Sequence, residues 1–162
     1  MQTFADKYAG TPQGKLAKQR YDDLAKQDAD AQKAKEKIAK VNAILEKQMI
    51  KVEGGNFKLT KKQTVAVNDF YIGKYEVTIE LWELVTGQNC ENLPQYADNV
   101  KYKRYSDGEW TDENYYHENL PAYFSHGDIL KFIEKLNELT DKHFRLPTET
   151  EWVYAARGGN LE

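Results

Sequence analysis

The sequence predicts an α+β protein in which a small mixed domain follows one long N-terminal α-helix, and three observations carry that prediction. From Gly14 to Gln48 the chain is rich in Ala, Lys and Gln and holds no glycine or proline after Gly14. From Met49 onward, short β-branched and aromatic runs alternate with glycine. Two later stretches pair a helix-capping signal with an amphipathic pattern. With 162 residues, 40% hydrophobic and 12% aromatic, the chain has room for one ordinary domain plus an appendage and lies far from the disordered class.

In the helical arm, residues 1–48, the best apolar side chains form a stripe. Leu24, Ala31, Ile38 and Leu45 are spaced by sevens, with Tyr21, Ala34 and Val41 near the intervening positions. Asp28 interrupts this thin stripe, so the helix needs another surface to cover it. Two covers are open at this stage: the domain that follows, or a second helix in a coiled coil that makes a homo-oligomer.

The domain begins at Met49. "MIKVEGGNFKL" has two short apolar runs around Gly54-Gly55, a hairpin or bulge signal, and "TVAVNDFYIGKYEVT" alternates as a strand pair does. Thr78 caps a short helix through Leu81, Trp82 and Val85 that Gly87 ends. From about Asn89 to Phe124 no period is sustained, and the stretch is expected to be irregular. Ser125 and Asp128 open the next helix, whose face is Ile129, Phe132, Ile133, Leu136 and Leu139. "HFRLP" connects to a last helix. There Pro147 holds the preceding residue extended, Thr148 and Glu151 form a capping box, and Gly158-Gly159 stops the element. So short a helix must dock one side on a neighbour, and Trp152 is the expected docking residue.

Charge and patterning narrow the function classes. A net charge of -3 and a pI near 5.7 leave no electrostatic footprint for nucleic acid or for anionic membranes. No apolar run is long enough to span a bilayer, and the N-terminus has no secretory-signal pattern. The compartment stays open, with a periplasmic, cell-surface or secreted location preferred to the cytoplasm. Leu161-Glu162 reads as a cloning remnant.

Four segments, in order, resemble the formylglycine-generating enzyme, or sulfatase-modifying factor, domain family. "VEGGNF" at Val52 to Phe57 is similar to the family's Val-Pro-Gly-Gly-x-Phe opening, and "FYIGKYEVT" to its strand ending in Glu-Val-Thr. "PAYFSHGDI" is similar to its Pro-Val-x-x-Val-Ser-Trp-x-Asp-Ala stretch, and "RLPTETEWVYAARGG" at Arg145 to Gly159 matches its signature closely. The resemblance runs from Met49 to Asn160. It implies a partial C-type-lectin-like domain at residues 49–160, the first half of a larger body. Glu53, His126 and Leu59-Thr60 depart from the family pattern and point away from its catalytic branch. The implied second half carries the active-site cysteine pair, most calcium ligands and much of the peptide-binding groove, so calcium and copper are expected only of the full-length domain.

No residue of this chain is assigned a catalytic or metal-binding role. Copper chemistry of the family type needs two convergent thiolates, and Cys90 is the single cysteine. His117, His126 and His143 lack ligand spacing. Asp107, Glu109 and Asp112 read as an acidic turn rather than a calcium loop. The candidate ligand contacts are Tyr102, Tyr105, Trp110, Tyr115 and Tyr116, whose flat faces and polar edges suit a protein or carbohydrate partner. The alternative is that these rings pack the irregular stretch onto its own domain. The expected function is therefore a non-catalytic binding or assembly module, with a fragment of an active oxidase that modifies sulfatase cysteines as the rival.

Overall fold

A computed structural model describes residue 8, residues 10–91, residue 93, and residues 101–106, 109–114 and 119–159. Among them the order is α1 (Pro12–Gln48), β1 (Met49–Val52), β2 (Gly55–Thr60), β3 (Gln63–Val67), β4 (Phe70–Gly73), α2 (Ile79–Thr86), β5 (Lys101–Ser106), β6 (Glu109–Asn114), α3 (His126–Thr140) and α4 (Glu149–Ala156). The chain divides between Lys40 and Val41 into two units. The last turns of α1 therefore belong to the second unit, where Val41 and Leu45 are buried.

The first unit is mostly helix. Every residue from 18 to 36 is exposed, including Tyr21 and Leu24 of the stripe. The long run free of glycine and proline explains why the helix persists for 37 residues.

The second unit opens with one long antiparallel hairpin broken in the middle. β1 pairs with β4 and β2 with β3, and Met49↔Gly73 through Lys58↔Thr64 share one register across the break. Glu53-Gly54 is therefore the interruption of a strand, and the chain reverses at Lys61-Lys62. "TVAVNDFYIG" accordingly does not fold on itself: β3 and β4 are successive parts of one arm, each paired with the run before Lys61. Steric exclusion at Gly54 sets the break. A Cβ there would sit 2.2 Å from the Val67 carbonyl oxygen, closer than any side chain tolerates. The Gly54 N–H donates instead to the Asp69 carboxylate at 2.8 Å, and Asp69 pairs with Lys51 at 2.8 Å. A side chain thus replaces the ladder bond that the break removes.

The larger core gathers the end of α1, α2 and α3. Val41, Leu45, Ile79, Leu81, Trp82, Val85, Phe132 and Leu136 are buried together. Trp82 lies parallel between Phe124 and Phe132, with ring centroids 3.7 and 4.9 Å away. The caps follow the sequence. Thr78 accepts from the Leu81 N–H, Gly87 takes the left-handed conformation that ends α2, and Ser125 accepts from the Asp128 N–H. After α3 the Asn137 side chain brackets Phe144, accepting its N–H at 2.6 Å and donating to its carbonyl at 3.0 Å.

A smaller core joins α4 to the broken hairpin through Phe57, Val67 and Tyr154. Here the structure corrects the expected docking residue. Trp152 is 60% exposed, whereas Tyr154 is 1% exposed. Two residues along a helix is more than half a turn, so these rings face opposite ways, and the hairpin supplies Phe57 on the Tyr154 side.

Candidate functional site

The stretch between α2 and α3 that carries most of the tyrosines is held at both ends by the larger core. At its entry, left-handed Gly87 donates its N–H to the Glu83 carbonyl and turns the chain back over α2. The Trp82 indole N–H then donates to Gln88 at 3.2 Å, and the Cys90 N–H donates to the Glu83 carboxylate at 2.6 Å. Cys90 is fully buried in this core, with Leu93 packed against it. At the exit, the Ile79 N–H donates to the Leu120 carbonyl, the Ala122 N–H donates to the Val77 carbonyl, and Thr78 bridges Pro121. Entry and exit thus converge on α2 from its two ends.

Between these anchors the irregular stretch expected from the sequence is partly regular. β5 and β6 form an antiparallel ribbon in which Tyr105 is paired with Trp110, Tyr102 with Glu113 and Lys103 with Asp112. The missed signal is Asp107-Gly108, a favoured two-residue hairpin connection, set between Ser106 and Glu109. It was masked because Lys101, Lys103 and Arg104 are interleaved with the tyrosines, so the run shows no apolar alternation. Tyr102, Tyr105 and Trp110 lie on this ribbon, and Tyr115 and Tyr116 lie outside the described residues, as do Asp107 and His117.

Cys90 has the wrong surroundings for a nucleophile. Burial pushes its thiol up to about 11, and the neighbouring Glu83 carboxylate pushes the same way. A thiolate would be both desolvated and repelled by the adjacent charge. Its role is that of a small apolar anchor where the tyrosine-rich stretch leaves the core. Cys90, the one cysteine of this sequence, is buried with its thiol raised, which does not suit a thiolate ligand of copper.

The signature segment does structural work around its carboxylate. Arg145 grips Glu151 with two parallel hydrogen bonds of 2.6 and 2.8 Å, and the Thr148 N–H donates to the same carboxylate at 2.8 Å. The Thr148 hydroxyl accepts from the Glu151 N–H, which completes the capping box. The Arg145 bonds, followed by those from Thr148, hold the Glu151 carboxyl down at about 2. Glu149 has no part in this network. On the far side of α4, Tyr154 donates its hydroxyl to the Glu53 carbonyl at 3.0 Å and meets Phe57 edge-on. The Arg157 guanidinium lies over the Phe57 ring. The signature therefore clamps α4 onto the strand break at Gly54, which explains why "VEGGNF" and "RLPTETEWVYAARGG" occur together in one chain.

Comparison with known proteins bears on the same segments. The family model described as "Sulfatase-modifying factor enzyme 1-like domain" matches residues 34–162, opening inside α1 rather than at Met49. The chaperone protein LppX of Paenibacillus barcinonensis is 33% identical over 135 residues, which cover 73% of this chain and 48% of that protein. The chain thus spans about half the length of the curated relative it matches. No solved structure matches it. Among the described residues, no helix is long and apolar enough to cross a membrane.

Proposed function

The chain belongs to the family of sulfatase-modifying factor enzyme 1-like domains, whose fold is C-type-lectin-like, and from that premise we propose that it serves in binding or assembly rather than in cysteine oxidation. The observation that supports this reading is the similarity to a protein named as a chaperone; Cys90, buried beside Glu83 with its thiol raised to about 11, anchors the loop. The contact surface is the ribbon of β5 and β6, where Tyr105 is paired with Trp110, together with Tyr102, Tyr115 and Tyr116. Aromatic side chains offer a partner large contact area at low ordering cost. The ligand class is an extended protein segment or a carbohydrate. The name of the relative, a chaperone protein, supports the protein alternative, with a role in escorting or assembling a client chain.

Peptide and oligosaccharide arrays probed with the chain test this. Peptide binding that Tyr105→Ala and Trp110→Ala weaken at least tenfold supports the reading, and arrays that stay blank or ignore both substitutions overturn it. A second reading rests on the relative being twice as long as the matched region: the chain is the non-catalytic half of an oxidase whose cysteines lie further on. Incubating the whole parent protein with a sulfatase-motif peptide and capturing aldehyde with a hydrazide separates the two. Aldehyde formation establishes the oxidase.

A further inference from the structure

We propose that β5 takes an acidic, extended protein segment as an added antiparallel strand, held by the outward backbone groups of Lys101, Lys103 and Tyr105. This deepens the binding reading above and rests on it. The ladder decides which backbone groups are left to bond. Two residues separate Ser106 from its partner Glu109, and a pair so close to the reversal exchanges both of its hydrogen bonds. Bonded and non-bonded pairs then alternate along the ribbon. Arg104 with Thr111 and Tyr102 with Glu113 are bonded pairs, whereas Tyr105 with Trp110, Lys103 with Asp112 and Lys101 with Asn114 are not. The N–H and carbonyl groups of Lys101, Lys103 and Tyr105 therefore point to the outer edge of β5, and those of Trp110, Asp112 and Asn114 to the outer edge of β6. Among the described residues this sheet has two strands, and neither outer edge meets a third.

Charge selects the edge and its occupant. Two of the three outward positions on β5 are lysines, against a single aspartate on β6. A strand added antiparallel to β5 sets its own residues opposite Tyr105, Lys103 and Lys101 in that order, so the complementary pattern is aromatic, any, acidic, any, acidic. Basic residues at the two acidic places would put like charges directly opposite each other, which rejects the wrong partner. The β6 edge of a second copy is a poorer match. It offers Trp110 to Tyr105 and Asp112 to Lys103, but only the neutral Asn114 to Lys101. That pairing also leaves an edge free at each end of the assembly, so it does not close.

Calorimetric titration of the full chain with the blocked peptide Thr-Phe-Thr-Glu-Val-Glu-Thr tests the assignment. Binding is expected, and putting Lys for both Glu in the peptide should weaken it about tenfold or more. Methylation of the peptide's backbone nitrogens reads the edge. Methyl groups on the Phe and Glu nitrogens remove the donors that face β5 and should weaken binding about tenfold or more. Methyl groups on the central Thr and Val nitrogens, which face away, should change it less than about threefold. Hydrogen exchange should slow at the Lys101, Lys103 and Tyr105 amides and stay as it was at Tyr102 and Arg104. Equal tolerance of the two methylated sets, with binding still weakened by Tyr105→Ala and Trp110→Ala, overturns strand addition and leaves the binding reading standing. A peptide that does not bind, where other peptides bind on the arrays, overturns the acidic pattern and the proposal with it; blank arrays overturn the binding reading itself. Assembly of the protein alone that grows with its concentration gives the edge to a second copy and overturns the peptide as its occupant.

Discussion

The two cores of the second unit are each built around one aromatic ring, yet they hold it by different means. Trp82 is sandwiched face to face by Phe124 and Phe132 and ringed by buried aliphatic residues from α1, α2 and α3. Tyr154 has only Phe57 and Val67 as buried companions, and the rest of its hold is polar: its hydroxyl on Glu53, Arg157 over Phe57, and the Arg145–Glu151 clamp at the start of its helix. The lesson is about where failure spreads. The first core depends on apolar area, which is lost cooperatively. The second is a small contact kept in place by directional bonds, and these fail one at a time.

Trp82→Ala should produce the largest loss, roughly 3–5 kcal/mol by denaturant titration, because it removes the ring on which Phe124 and Phe132 both stack and leaves a cavity among α1, α2 and α3. It should also release the tyrosine-rich stretch, since Gln88 and Cys90 are placed by the same core. A loss no greater than that of a surface change would erase the distinction between the cores. Tyr154→Phe should cost about 1 kcal/mol, since the ring contact with Phe57 survives and only the bond to Glu53 goes. Hydrogen exchange should then rise in β2 and α4 and stay unchanged in α2 and α3.

Glu151→Gln sharpens the comparison through pH. The Glu151 carboxyl titrates at about 2 in the folded chain against 4.5 for a free one. Its stabilisation is therefore complete above the higher value and drains away as pH falls from there toward the lower one. Because Arg145 is largely exposed, the effect at neutral pH should be about 1 kcal/mol, less than the shift alone suggests. Thermal melts between pH 2 and 5 should be steeper in pH for the wild type than for the variant; equal slopes would remove the clamp from the account. Trp152→Ala should be smallest, within about 0.5 kcal/mol, because that ring lies in solvent. A large loss there would mean that Trp152 and not Tyr154 is the docking residue.

Local chemistry was legible throughout the chain. The Thr78, Ser125 and Thr148 caps, the glycine that ends α2, the long α1 and the amphipathic face of α3 are all decided by neighbours within a few residues, and the structure places them as read. The ribbon of β5 and β6 was less legible because charged residues hide its alternation, although Asp107-Gly108 carried the turn. Of the candidate contacts, the sequence supplied the residue types and the ladder supplied the grouping of Tyr105 with Trp110.

The sequence alone determined the elements, their ends and the family signature, because capping, turn chemistry and helical period are short-range. Only the tertiary structure decided that Gly54 interrupts a strand instead of turning it, that Cys90 is an anchor, and that Tyr154 docks while Trp152 faces water. Each of these depends on what a distant segment places opposite: Val67 against Gly54, Glu83 and the α2 core against Cys90, Phe57 and Glu53 against Tyr154. Pattern within a helix shows that a face must be covered; the shape and polarity of the partner select which ring fills it.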